Sequence, residues 1–267
     1  MKTRTAISGF VAALVVLSGG WFAGASAVNS GLINWLQFRS SDVPMCGVVK
    51  AGMTDSVNYT ATEYAYNRSG SSCTSLRPRA AGYIRVHLYG YRNGVEIHHS
   101  YADNGSNTSS AYKSYQYPGV REGCFEAGAS GREYDSDIGG LVDGGIYGSG
   151  QLCWIATRQA PEESSANPSE ALPSEQFQIP TGVTADGRTF GSGADALHGG
   201  KQYDLVAVEG DSGIVGFADR KAADALLDQV PPSQTAELQR DLEAGNLKVD
   251  VYEQDGVTVV DTLTLAP

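Results

Sequence analysis

Apolar and polar side chains alternate with period two along Tyr83-Ile84-Arg85-Val86-His87-Leu88-Tyr89, and again, less strictly, along Val95-Glu96-Ile97-His98-His99. Asn93-Gly94 lies between the two runs. That pair suits a type I′ turn, whose two central residues both need positive φ, so the pattern predicts a β-hairpin. Further strand-like runs cover residues 111–117 and 146–156, with glycine breaks at Gly139-Gly140 and Gly144-Gly145. The segment up to residue 160 therefore reads as an antiparallel sandwich or barrel.

Past residue 180 the pattern becomes mixed. Residues 203–208 and 214–217 read as strands flanking the loop Glu209-Gly210-Asp211-Ser212-Gly213. Asp219 is placed to cap a helix over 220–228, and Ser233 to cap a second one ending at Ala244, with Gly245 just past its end. Residues 249–252 and 257–260 predict a last hairpin around Asp255-Gly256. The expected fold class is mainly β: a disulfide-bonded antiparallel β-sandwich or barrel followed by a small α+β module.

The first 27 residues have a different character. A basic start, Met1-Lys2-Thr3-Arg4, precedes an apolar run over 6–17 and the small-residue pattern Ala25-Ser26-Ala27. This is the form of a secretory signal peptide, with the mature chain beginning at Val28. The apolar run falls short of the roughly 20 residues a spanning helix needs, and no later run reaches that length, so no membrane span is expected after signal removal. The expected location is secreted. In that compartment the four cysteines, Cys46, Cys73, Cys124 and Cys153, predict two disulfides, and no local Cys or His pairing suggests zinc instead. Three connectivities fit.

Charge divides the chain further. Over 267 residues, 19 Lys and Arg stand against 30 Asp and Glu, a net charge of −11. Residues 28–160 carry 11 of each sign, whereas residues 161–267 carry 6 basic and 19 acidic. A chain so balanced is not built to neutralise phosphates, and nucleic acid is not an expected partner. Tyrosine divides the other way, with 12 of 14 before Ala160. Pro161-Glu162-Glu163-Ser164-Ser165 opens a Pro/Ser/Glu stretch that reads as a linker. The predicted layout is a signal peptide at 1–27, a disulfide-containing all-β domain at 28–160, a linker at 161–180 and an acidic α+β module at 181–267.

Ala185-Asp186-Gly187-Arg188-Thr189-Phe190-Gly191-Ser192, then Tyr203-Asp204-Leu205, then Val251-Tyr252-Glu253-Gln254-Asp255-Gly256, resemble a C-terminal module of small exported actinobacterial proteins. In those modules the pattern runs N-x-x-G-x-T-Y-G-S, P-D-L and V-Y-x-x-D-G. The resemblance covers about 85 residues. It implies export and a Gram-positive origin, and it carries no established activity.

Four features invite a chemical reading. Gly210-Asp211-Ser212-Gly213 matches the start of the trypsin-like nucleophile motif, but no histidine segment of that family lies upstream, so the motif reads as a hairpin turn. With a straight two-residue turn, Tyr89 pairs with His98, Leu88 with His99 and His87 with Ser100, which places Arg85, His87, Tyr89, Tyr91, Glu96 and His98 on one polar-aromatic face. His87 and His98 as diagonal neighbours, with Glu96, have the reach to hold a metal. A one-residue register slip would remove His98, and an ordinary sheet face is the plainer reading, so neither a metal nor a cofactor is assigned. Tyr89 and Tyr91, joined by Tyr115 and Tyr117, would offer an exposed face suited to sugars or protein partners. Asp135-Ser136-Asp137 with Asp143 lacks the spacing of a calcium loop.

The sequence therefore predicts an exported non-enzymatic binding or interaction protein at the cell envelope or outside the cell. Its partner would be a protein or glycan of the envelope. The alternative is an extracellular hydrolase with a carboxylate or metal site that the motifs do not locate.

Overall fold

The computed structural model describes residues 28–29, 33–38, 45–55, 58–69, 72–76, 78–117, 123–135, 139–154, 178–228 and 231–266. Side chains are described at 51–53 and, within these segments, from residue 78 onward except at Trp154. The predicted signal peptide, and the predicted linker as far as residue 177, lie outside the described residues.

The chain is mainly β, and its first part is a sandwich of two sheets. One sheet takes β1 (Val28–Asn29), β2 (Ile33–Phe38), β3 (Met45–Asp55), β4 (Asn58–Ser69) and β5 (Ser72–Leu76). The chain then enters the second sheet with β6 (Ile84–Arg92) and β7 (Val95–Asp103), and returns to the first with β8 (Ser110–Gln116), which pairs with β4. Next come β9 (Gly123–Asp135), β10 (Gly140–Gly148) and β11 (Leu152–Trp154), so that the second sheet runs β10-β9-β6-β7. Ile84, Val86 and Leu88 turn one face of β6 toward Ala51 and Met53 of β3, with Phe125 of β9 beside them. That interleaved layer is the sandwich core, and burying apolar area there is its main stabilisation.

The predicted hairpin forms as its turn residues require. Asn93 and Gly94 have φ of 54° and 80°, and Arg92 pairs with Val95. Residues 146–156 do not form one strand: β10 begins at Gly140, its register shifts between Asp143 and Ile146, and Gly145 takes a φ of 88° at the shift. Gly144-Gly145 is thus a bulge inside a strand, a common use of glycine, and not a break between strands. Cys124 and Cys153 form a disulfide between β9 and β11. Cys46 and Cys73 lie in β3 and β5, on either side of β4, and their side chains lie outside the described set.

The C-terminal part extends the second sheet. It contains β12 (Gly182–Val183), β13 (Thr189–Gly191), β14 (Leu205–Glu209), β15 (Val215–Asp219), helix α1 (Arg220–Asp228), helix α2 (Thr235–Glu243), β16 (Lys248–Tyr252) and β17 (Val259–Thr264). β14 runs parallel to β7 at Val208 and Glu96, so the order β7-β14-β15-β16-β17 continues the sandwich sheet. Ala223 and Leu227 of α1, with Leu238 and Leu242 of α2, pack on Val206, Val249 and Val251.

Asp219 caps α1 as expected, its Oδ1 accepting from Ala222 N at 3.0 Å. Ser233 does not cap α2, because Pro232 first sets a 3-10 turn over Pro232–Gln234; Gly245 ends the helix at φ 68°. The residues behind the family resemblance have structural work. Asp204 Oδ2 accepts from Thr189 N and Oγ1 at 2.9 and 3.0 Å, holding the start of β13 beside the loop that leads into β14. Ser212 sits in a hairpin loop and donates to Asp261 Oδ2 at 2.6 Å, as the turn reading requires.

Candidate polar site between the sheet and helix α1

Strand β6 turns its second face away from the sandwich core, carrying Arg85, His87, Tyr89 and Tyr91. All four are buried, at no more than 1 % exposure, so the exposed tyrosine face expected from the sequence is corrected. Helix α1 covers it. Arg220, Asp224 and Asp228 recur every fourth residue and share one side of α1, and that side meets the sheet face. Tyr115 and Tyr117 do not join it: Tyr117 is part of the sandwich core and Tyr115 packs against it.

The register also corrects the histidine pairing. Tyr91 pairs with Glu96, but Gly90 pairs with His98, leaving Ile97 as an extra residue. Beyond this bulge Tyr89 faces His99, Leu88 faces Ser100 and His87 faces Tyr101. His98 therefore turns toward the sandwich, where it stacks on Tyr115 and lies 2.7 Å from Ser100 Oγ. Its place beside His87 is taken by His99, which a straight register would put on the other face. Gly90 was the available signal, since a glycine inside a strand often marks a bulge.

Three arginines organise the site. Arg132 of β9 reaches Asp228 Oδ2 through Nε at 3.0 Å, Asp224 Oδ2 through Nη2 at 3.1 Å and Asp143 Oδ1 through Nη1 at 2.5 Å. Asp143, whose spacing does not fit a calcium loop, is thus an ion-pair partner; Asp137 lies outside the described residues. Arg85 pairs with Asp103 at 2.7 Å and also donates to the carbonyl of Leu227 at the end of α1. Arg220 reaches back from α1 to Glu96 Oε2 at 2.6 Å and to the Tyr91 hydroxyl.

Between these pairs stand two imidazoles. His87 Nδ1 and His99 Nε2 are 3.1 Å apart, and His87 Nε2 is 3.1 Å from Asp228 Oδ1. Asp224 Oδ1 accepts from Tyr89 Oη at 3.2 Å and lies 3.8 Å from His87 Nδ1 and 3.7 Å from His99 Nε2. Burial dominates the electrostatics of the uncharged groups. It pushes the Tyr89 and Tyr91 hydroxyls well up and the His99 imidazole well down, with His87 and Arg220 adding to the effect on His99. Burial also raises Glu96 despite Arg220. At Asp228 burial loses: His87 and Arg132 hold that carboxyl well below its usual range.

Beside this cluster lies a cavity of about 280 Å³. Tyr89, Arg132, Arg220 and Asp224 form its inner wall, with Asp143, Gln202 and Lys221 at more exposed positions. Arg220 Nε is buried and has no hydrogen-bond partner among the described residues. The structure thus brings Arg85, His87, Tyr89, Tyr91 and Glu96 together on one face, excludes His98, and adds His99, Arg132, Arg220, Asp224 and Asp228. Arg220, Asp224 and Asp228 lie on a helix more than a hundred residues along the chain, with no local motif joining them to the hairpin. Compared with known proteins, the chain matches no protein family, no curated protein and no solved structure.

Proposed function

We propose that the protein is exported and acts outside the cell as a non-enzymatic binding protein, with the cavity between the sheet and α1 as its ligand seat. The observation that carries this reading is the cavity itself, walled on one side by the charged side chains of Arg132, Arg220 and Asp224. At about 280 Å³ it stands at the small end of ligand pockets, which suits one sugar-sized, oxygen-rich unit better than a peptide. A glycan of the cell envelope supplies such units. Export is supported by the amino-terminal pattern, by the Cys124–Cys153 disulfide and by the resemblance to exported actinobacterial modules. No helix among the described residues is long and apolar enough to cross a membrane.

The test has two arms. Expressed from its full reading frame, the protein is expected in the medium with Val28 as its first residue; retention in the cell with an intact amino terminus overturns the export arm. The purified mature chain is then screened by thermal shift against neutral sugars, amino sugars and uronic acids. At a hundredfold excess over Kd, a true ligand stabilises by about 2.7 kcal/mol. Gln202→Trp, which adds bulk at an exposed position of the cavity wall, should remove the shift without lowering the unliganded melting temperature. A shift that survives this change, or no shift with any class, overturns the assignment of the seat.

A further inference from the structure

We propose that His87 Nδ1, His99 Nε2 and Asp224 Oδ1 bind one divalent transition-metal ion of the zinc class, tying helix α1 to the β6–β7 hairpin. The proposal does not rest on the cavity's ligand, because neither His87 nor His99 lines that cavity.

The three atoms form a triangle with sides of 3.1, 3.8 and 3.7 Å. A point equidistant from its corners lies about 2.1 Å from each, which is the usual Zn–N and Zn–O distance. The three atoms therefore surround an ion-sized position with little movement of the chain. Two imidazole nitrogens and one carboxylate oxygen suit zinc and its neighbours, whereas calcium and magnesium take oxygen ligands.

His87 and Asp224 are also held from behind. His87 Nε2 faces Asp228 Oδ1 at 3.1 Å, and His99 Nδ1 faces Glu96 Oε1 at 3.7 Å. A metal-bound imidazole commonly directs its outer N–H at a carboxylate, which fixes the tautomer and points the other lone pair at the ion. Here Asp228 does this for His87, while Glu96 stands on the outer side of His99 beyond hydrogen-bond distance. Asp224 is oriented as well, because its Oδ2 is held by Arg132 at 3.1 Å and Oδ1 is left for the ion and Tyr89.

Charge favours the same ion. The guanidinium groups of Arg85, Arg132 and Arg220 face the carboxylates of Glu96, Asp103, Asp143, Asp224 and Asp228. Asp143 is exposed, but the other four carboxylates face three guanidinium groups in a largely shielded site, and an excess of carboxylate there is costly unless compensated. A divalent ion at the triangle supplies positive charge at that place. A water would supply the fourth ligand that zinc ordinarily takes.

The experiment uses the mature chain after dialysis against a chelator, titrated with Zn²⁺ by calorimetry and with Co²⁺ in the visible range. One ion per chain is expected, with the strong absorption of four-coordinate Co²⁺ and a rise in melting temperature that chelation reverses. Asp228→Asn should weaken binding by about 10- to 100-fold. His99→Gln should abolish the Co²⁺ bands, while His98→Gln should leave them. For the case in which His99→Gln does not fold, nitrogen NMR of the zinc-loaded parent chain identifies the ligating atoms as His87 Nδ1 and His99 Nε2. A folded parent that binds no stoichiometric ion overturns the proposal. So does binding through other nitrogens, or Co²⁺ bands lost with His98→Gln and kept with His99→Gln. A negative metal result would leave the sugar screen informative, and a negative screen would leave the metal titration so.

Discussion

At Gly90 strand β6 carries no side chain, and across from it the β6–β7 register passes over Ile97. That one extra residue sends His98 into the sandwich and His99 to the face under α1. His98 is buried, and burial pushes its imidazole down to about 3, with Lys113 adding to the effect. A histidine ordinarily near 6.5 is then neutral in the folded protein but takes up a proton when unfolded. Stability contributed by the neutral form is fully present above the unfolded value and is lost as pH falls from about 6.5 toward 3, at roughly 1.4 kcal/mol per pH unit. His98→Phe should flatten the urea midpoint against pH over that window relative to the parent chain; equal slopes would refute the burial argument. Gly94 permits a second residue-scale prediction. Its φ of 80° is strained for any side chain, and a Cβ there would lie 2.9 Å from Ser192 Oγ, which donates to the Gly94 carbonyl. Gly94→Ala should therefore cost about 1–2 kcal/mol in thermal unfolding. Asn93-Gly94 was legible in the sequence because a turn's chemistry is local. The bulge was harder to see, although Gly90 marked it, because a straight register also explained the alternation.

Helix α1 illustrates the same limit one level up. Its start was legible from Asp219, and its span over 220–228 from the helix-forming residues there, because capping and propensity involve neighbours in the chain. Its partner was not. Charged residues at every fourth position on a helix read as a solvated stripe, and Arg220, Asp224 and Asp228 fit that pattern. Their burial depends on a sheet face that is itself polar, so both surfaces looked like water-facing ones when taken separately. β9 is the element that connects the two layers: Phe125, Ala127 and Ala129 enter the sandwich core, Arg132 enters the ionic cluster, and Cys124 is bonded to Cys153 of β11. The disulfide closes a sequence separation of 29 residues. By loop-closure entropy, replacing both cysteines with serine should cost about 3–4 kcal/mol, measurable as a lower urea midpoint in the oxidised protein and no further loss on adding reductant from this bond. A double variant as stable as the parent would mean that β9–β11 pairing holds without it.

For the whole molecule, the uneven charge along the chain becomes complementarity in the fold. The acidic C-terminal part places Asp224 and Asp228 against Arg132 and Arg85, and Glu209 against Arg92 at 2.7 Å, while Arg220 answers Glu96 in the opposite sense. Sheet hydrogen bonding adds little to this junction, since β7 and β14 share one register pair and Ala266 N donates to the carbonyl of His99. The two parts are joined by this charge and by apolar packing, with Leu197 against Tyr89 and Tyr91 and Tyr101 in the C-terminal core, and neither can keep its half of the cluster when the other unfolds. Calorimetry of the mature chain should show one cooperative transition in which the sandwich and the α+β part melt together. Because Asp224 and Asp228 are largely shielded from solvent, moderate salt should shift that transition only slightly. Arg132→Leu is the decisive variant. Removing one partner of a buried ionic group costs about 3–5 kcal/mol, since the carboxylates left behind lose their compensation. If the cluster couples the two parts, this change lowers the common transition or splits it, with the α+β part melting first. Two transitions already present in the parent, or an Arg132→Leu variant that melts with the parent, would mean that the two parts are stable separately and that the cluster serves ligand or metal binding without holding them together.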